Sequence, residues 1–355
     1  MKAVLPNGED LLVSNENNVR RITLNRPRAM NALTFDMVVK LYDLLRSWAS
    51  DPEVKVVLLD GAGERGMCAG GDVRALYEAV RSGTDLPQKF WKAEYHLDAL
   101  IARFPKPIVA IMDGIVMGGG VGISAHASHR VVTERSAIAM PEVAIGLFPD
   151  VGVSFLLSRA PGYVGTHLAL TGARIRAADA IFCGLADVHV PTGKLSILRE
   201  HLSRCTTSRD VTEVLIRLST ATQASDLASA RSWIDHCYAA NTIEDILDRL
   251  DFCEEEAARL ARQAIEASSP TSLKVTLRNL REARSFQHIE DCLRQDYRIA
   301  LACIEGHDFI EGIRAAVIDK DLKPRWCPVQ IEFVTPEVVN QHFRPRGALD
   351  LSFEQ

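Results

Sequence analysis

The chain has 355 residues, of which 47% are apolar and 25% charged, with a net charge of −5. That balance describes a globular protein with a sizeable core and excludes whole-chain disorder. The charge gives no long-range reason to bind nucleic acid, and no run of like charges forms a tail. Eight cysteines are dispersed without a C-x-x-C pair, so neither a disulfide framework nor a zinc or other metal site is indicated. Met1-Lys-Ala-Val-Leu-Pro6 has neither an apolar targeting core nor an Arg-rich transit pattern, and the expected location is cytoplasmic. The longest apolar stretch, Pro107 to Ile123, contains Asp113 and five glycines, so no membrane span is expected.

In chain order, Val19 to Leu24 alternate as a strand does, and Asn25-Arg26-Pro27 turns the chain towards a helix with Thr34 as its N-cap that runs to about Ser50. Asp51-Pro52 stops that helix. Val54 to Asp60 is a short run rich in β-branched residues, the pattern of a buried parallel strand. A polar helical stretch follows, then a helix near Gln88 to Phe104, a strand from Pro107 to Met112, and a helix from Gly118 to His126. Short strands at Arg130 to Thr133 and Ala137 to Met140 complete a series of right-handed crossover units. From about Ser196 glycine thins out; Ile243 to Ala267 and Thr271 to Ile304 have helical periodicity, and Ser269-Pro270 is a capped helix start.

Gly61-Ala-Gly63-Glu-Arg-Gly66 follows a strand and matches a dinucleotide fingerprint, but Met67-Cys-Ala-Gly-Gly71 beyond it breaks a helix, so nucleotide binding is not expected. Met67 to Asp72 and Gly118 to Gly122 each end a strand in bare backbone and enter a helix, and amides at such a turn are oriented donors. Glu142 and Asp150 lie eight residues apart among Ala139, Met140, Val143, Ile145, Leu147 and Phe148, apolar neighbours that raise the basicity of a carboxylate. As surface carboxylates beside Pro141 and Pro149 they would have no such role. His126 and His129 have no carboxylate at a fixed spacing and are read as structural.

The strings Cys68-Ala-Gly-Gly-Asp72, Asp113-Gly-Ile-Val-Met-Gly-Gly-Gly120, Met140-Pro-Glu142 and Gly146-Leu-Phe-Pro-Asp150 resemble the crotonase (enoyl-CoA hydratase/isomerase) superfamily. Within it the chain is most similar to the 3-hydroxyisobutyryl-CoA hydrolase branch, on Phe90-Trp-Lys-Ala-Glu94-Tyr, Ser269-Pro-Thr-Ser-Leu-Lys-Val-Thr and Gly306-His-Asp-Phe-Ile-Glu-Gly running into Ile318-Asp-Lys-Asp321. The resemblance implies an α/β fold, a right-handed ββα spiral acyl-CoA-binding core over residues 10–200, and a mainly helical region over residues 201–355 covering the site.

It implies further that the backbone amides of Gly71 and Gly119 form an oxyanion hole. Glu142 would be nucleophile or general base, and Asp150 would contact the substrate's 3-hydroxyl and the leaving thiolate. Glu94 would be another substrate-binding acid, with Gly119, Glu142 and Asp150 lining the same substrate. Hydratases of the superfamily use two glutamates, and the first would fall at Gly122. One carboxylate beside an oxyanion hole suits attack on the thioester better than addition of water across a double bond. The implied function is hydrolysis of a short-chain 3-hydroxyacyl-CoA, as in valine catabolism, with enoyl-CoA hydration or isomerisation and non-catalytic acyl-CoA binding as alternatives. No cofactor is implied, since coenzyme A arrives with the substrate, and homo-oligomers built from trimers are expected. Val153 and Ser154 depart from a more glycine-rich run expected in this branch, which bears on the shape of the acyl pocket.

Overall fold

The computed structural model describes residues 9–353. Met1 to Pro6, read above for targeting signals, lies outside them.

The first compact unit comprises residues up to Gly71, His96–Ile138 and Ile175–Ser225. Its sheet has the order β1-β2-β3-β5-β7-β9: β1 (Leu11–Glu16), β2 (Val19–Leu24), β3 (Val56–Gly61), β5 (Ile108–Met112), β7 (His129–Val132) and β9 (Val188–His189). β1 pairs antiparallel with β2, and the remaining pairs are parallel. A second sheet takes β4 (Gly66–Cys68), β6 (Ile115–Met117) and β8 (Ala137–Ala139). Three successive passes of chain therefore give one strand to each sheet, β3 then β4, β5 then β6, β7 then β8. This is the expected ββα spiral.

The reason β3 and β5 read as unbroken apolar runs is that both faces are covered. Val56, Leu58, Val109 and Ile111 pack in one cluster with Leu195, Leu198, Leu202, Val211 and Leu215 from the following helices. Val57, Leu59 and Ile108, one residue out of phase, meet Leu41 and Leu45 of α1 (Phe35–Ser50) and Ile123 of the Gly119–Ala125 helix. Thr34 caps α1 as expected, its hydroxyl accepting from the Met37 amide at 3.2 Å.

The second unit comprises Asp72–Tyr95, Ala139–Arg174 and the residues from Asp226 on. The units are interleaved, so the expected division at residue 200 does not coincide with theirs. Glu94 and the carboxylate stretch, both assigned to the first segment by sequence, belong with the late helices. This unit is helical: α2 (Val73–Arg81), the first part of α3 (Leu86–Ala102), and then helices at Val153–Leu157, Val164–Thr171, Asp226–Tyr238, Ile243–Asp251, Glu256–Ala267, Pro270–Ala283, Ile289–Glu305, Asp308–Ile313 and Pro336–His342. The two long periodic segments are thus each broken once, at residues 252–255 and 284–288. Trp91, Tyr95, Phe148, Tyr238 and Phe309 are its bulkiest fully buried side chains, and the Trp91 and Phe309 rings meet at 5.7 Å. No helix among the described residues is long and apolar enough to cross a membrane.

Candidate functional site

In the first unit the two glycine turns lie against each other. Gly70 has φ +101°, and a Cβ there would sit 3.1 Å from the Met117 carbonyl oxygen and 3.4 Å from the Gly119 nitrogen. Only a residue without a side chain allows this approach. Leu33 bridges Gly71 in parallel register, with the Leu33 amide donating to the Gly70 carbonyl at 2.8 Å. In that pattern Leu33 uses its amide and carbonyl while the Gly71 N–H stays out of the ladder. Gly118 (φ +50°) precedes the Gly119–Ala125 helix, whose first N–H is an orphan donor by helix geometry. Two amides suited to an oxyanion hole are thereby presented from abutting turns. The dinucleotide-like glycines do something else: Gly61 ends β3 and Gly66 begins β4, so the turn joins strand to strand, and no helix receives a phosphate. His129 is structural, held between Ser128 and Thr212 at 3.0 Å on each ring nitrogen.

The second unit gathers the carboxylates. Glu142 opens a 3-10 turn, Glu142–Ile145, closed by Gly146 in the left-handed region at φ +72°. The two late motifs grip that turn. Ser269 donates its amide to the Val143 carbonyl at 3.0 Å. A Cβ on Gly146 would lie 2.1 Å from the Asp308 carbonyl oxygen, and one on Gly312 would lie 2.3 Å from the Ile145 carbonyl carbon. The Asp308–Ile313 helix therefore packs bare backbone on the turn, and Asp308 in turn accepts from the Ser269 hydroxyl at 2.6 Å.

Glu94, Tyr95, Glu142, Asp150 and Asp296 converge in the same interior, at 2%, 0%, 6%, 4% and 0% exposure. The Tyr95 hydroxyl donates to Asp150 Oδ2 at 2.7 Å. Glu142 Oε2 and Glu94 Oε1 have no hydrogen-bond partner among the described residues. Burial raises the Asp150 pKa to about 6, against the opposing Tyr95 bond. Burial, and then the Asp150 charge, push Glu142 well above the ordinary carboxylate range. Glu94 is raised by burial and then by Asp150 and Glu142, and Asp296 by burial and then by Asp150. Burial and mutual repulsion therefore make these carboxylates keep their protons to higher pH than free ones do.

The structure thus brings Glu94, Glu142 and Asp150 together, and separately places Gly70, the residue before Gly71, against the Gly118–Gly119 turn. Sequence reasoning missed Tyr95 and Asp296. Tyr95 lay within a quoted motif, whereas Asp296 sits in Arg294-Gln-Asp-Tyr-Arg298, which reads as a solvated helix face. Val153 and Ser154 are buried in the first turn of the Val153–Leu157 helix.

Comparison with known proteins is consistent with these features. The profile of the family described as Enoyl-CoA hydratase/isomerase matches residues 19–343. The mitochondrial 3-hydroxyisobutyryl-CoA hydrolase of Rattus norvegicus is 43% identical over 339 residues, covering 94% of this chain and 88% of that one. A carnitinyl-CoA dehydratase from Mycobacterium thermoresistibile has a TM-score of 0.93 and 46% identity, over 98% of this chain and 99% of its own. An enoyl-CoA hydratase from Rhodobacter sphaeroides 2.4.1 has a TM-score of 0.91 and 42% identity, over 97% and 100%. The rat relative is a mitochondrial protein, which overturns the expectation of a cytoplasmic location. Dispersed cysteines report on redox environment and do not specify a compartment.

Proposed function

Because the chain belongs to the enoyl-CoA hydratase/isomerase family, we propose that it hydrolyses a short-chain 3-hydroxyacyl-CoA thioester, of the 3-hydroxyisobutyryl-CoA kind, to the free hydroxy acid and coenzyme A. The observation that carries this is Glu142, buried at 6% exposure with Oε2 unpartnered, beside Asp150 and Glu94. The position where the first of the two hydratase glutamates would stand is Gly122, inside the Gly119–Ala125 helix. The name of the rat relative supports the same reaction, and the step of valine breakdown implied by the sequence resemblance fits it.

In this reading the Gly71 and Gly119 amides polarise the thioester carbonyl, a contribution of about 3–4 kcal/mol per donor in studied acyl-transfer sites. Glu142 supplies the attack, either with its own oxygen, expelling the thiolate to give a mixed anhydride that water then hydrolyses, or by taking a proton from a water that attacks the carbonyl and expels the thiolate. Asp150, titrating near 6, is mostly ionised at pH 7 and accepts the substrate's 3-hydroxyl. Glu94, which burial and then the Asp150 and Glu142 charges raise well above the ordinary carboxylate range, is in this reading the acid that assists thiolate departure beside Asp150. The reaction needs no resident metal or redox group, since coenzyme A belongs to the substrate. A homo-oligomer built from trimers is part of the same reading, and light scattering in solution tests it.

The titles of the two solved relatives favour a second reading, hydration or dehydration of an enoyl-CoA. A panel of acyl-CoA esters separates the readings. Hydrolysis releases free thiol from 3-hydroxyisobutyryl-CoA, hydration consumes a crotonyl-type double bond without thiol, and a binding protein does neither. Thiol release confined to background rates across the panel rejects the proposal.

A further inference from the structure

Asp150 is followed by two residues in the left-handed region, Val151 at φ +53° and Gly152 at φ +69°. A β-branched side chain is strained there, so something must hold the turn. Glycine is required at 152, because a Cβ would meet Ile289 Cγ1 at 2.9 Å and Leu293 Cδ2 at 3.2 Å. The backbone so bent turns the Gly152 N–H inward, where it donates to Asp296 Oδ2 at 2.9 Å.

Asp296 lies in the middle of the Ile289–Glu305 helix, 144 residues from Gly152 in sequence and fully buried. Its other oxygen accepts from Asn279 Nδ2 at 3.1 Å, and Asn279 Oδ1 accepts from Gln295 Nε2 at 2.8 Å. A buried polar chain thus runs across the Pro270–Ala283 and Ile289–Glu305 helices and ends on the turn after Asp150. A carboxylate is an expensive filler for that space, and more so with Asp150 close by. An apolar side chain would fill it without repulsion but would leave two amide donors unsatisfied.

We propose that Asp296 is a positioning residue: by holding the Gly152 amide it fixes the strained turn, aims the Asp150 carboxylate at the Tyr95 hydroxyl, and so sets selectivity for acyl groups bearing a 3-hydroxyl. The positional half stands on the geometry alone; the selectivity half rests on the role given to Asp150 above. The groups that face Asp150 are Glu94 and Tyr95 of α3, Glu142 of the 3-10 turn, and Asp296 and Cys303 of the Ile289–Glu305 helix.

The test uses crystal structures and kinetics of the full-length Asp296→Ala and Asp296→Asn variants. In Asp296→Ala the Tyr95–Asp150 hydrogen bond is lost and Val151 relaxes to negative φ. The ratio of kcat/KM for 3-hydroxyisobutyryl-CoA over isobutyryl-CoA falls by about ten- to a hundredfold. Asp296→Asn keeps an oxygen for the Gly152 amide and stays within about threefold of the native ratio. Adding Asp296→Ala to Asp150→Gly changes the ratio by less than about twofold, because the two act through one carboxylate. Retention of the Tyr95–Asp150 bond with Val151 still at positive φ in Asp296→Ala overturns the proposal. If the bond is lost while both Asp296→Ala and Asp150→Gly keep the native ratio, positioning stands and the role of Asp150 falls. Should Asp296→Ala not fold, Asp296→Leu, which fills the same space but offers the Gly152 amide no acceptor, takes its place, and the same two outcomes decide.

Discussion

Replacing Tyr95 by phenylalanine removes one oxygen from the carboxylate cluster and leaves the ring. Tyr95 is fully buried, and its ring packs edge-on against Tyr297 at 6.3 Å, a contact that phenylalanine keeps. What is lost is the 2.7 Å bond donated to Asp150 Oδ2. A hydrogen bond to a charged group contributes about 1.5–3 kcal/mol, which corresponds to about one to two pH units on a carboxylate's titration. The bond favours the ionised form, so its removal raises the pKa, in the same direction as burial. Asp150 titrates near 6 in the native protein. The variant's midpoint is then about 7–8, and the ionised share at pH 7 drops from about nine-tenths to between a half and a tenth. Because the carboxylates titrate together, the quantity to read is the macroscopic acid limb of kcat/KM. Continuous detection of free thiol from 3-hydroxyisobutyryl-CoA between pH 5 and pH 9 measures it, and the limb moves to higher pH with the plateau largely kept. A limb that stays in place, or moves to lower pH, refutes the reasoning.

Two further perturbations address the other half of the chemistry and its selectivity. Gly70→Ala forces a side chain into a φ of +101° and against the Met117 carbonyl and the Gly119 nitrogen. It costs about 1–3 kcal/mol of stability, read in a thermal melt, and lowers kcat about a hundredfold by parting the two amide turns; an unchanged kcat contradicts that role for them. Asp150→Gly lowers kcat/KM for 3-hydroxyisobutyryl-CoA about ten- to a hundredfold more than for isobutyryl-CoA, and equal losses on both substrates sink its assignment to the hydroxyl.

What could be read from the chain depended on whether the physical signal was local. Val56 to Leu59 announced a strand buried on both faces because each residue is apolar, and Thr34 and Ser269 announced helix starts because capping needs only neighbouring residues. β1, Leu11–Glu16, went unread since an edge strand with one exposed face is nearly as polar as a loop. The periodicity of Ile243 to Ala267 ran through a break that follows Asp251, because apolar spacing continues across a short connection. Glu142, Asp150 and Glu94 were legible as motif members, yet their proximity was not, because Glu94 arrives from α3, well upstream of the carboxylate stretch. Asp296 had no local signal: an aspartate between glutamine and tyrosine on a charged helix looks solvated, and only the packed helices show it fully buried.

In the proposed reaction Glu142 drives cleavage of the thioester itself. Thiol release from 3-hydroxyisobutyryl-CoA by the native protein and by Glu142→Gln, compared at matched concentration and with matched thermal melts, tests it most directly. Glutamine keeps the shape of the side chain but can neither attack nor take a proton, so the predicted loss is about 10²- to 10⁴-fold in kcat. Thiol release that persists at the native rate in Glu142→Gln contradicts the account.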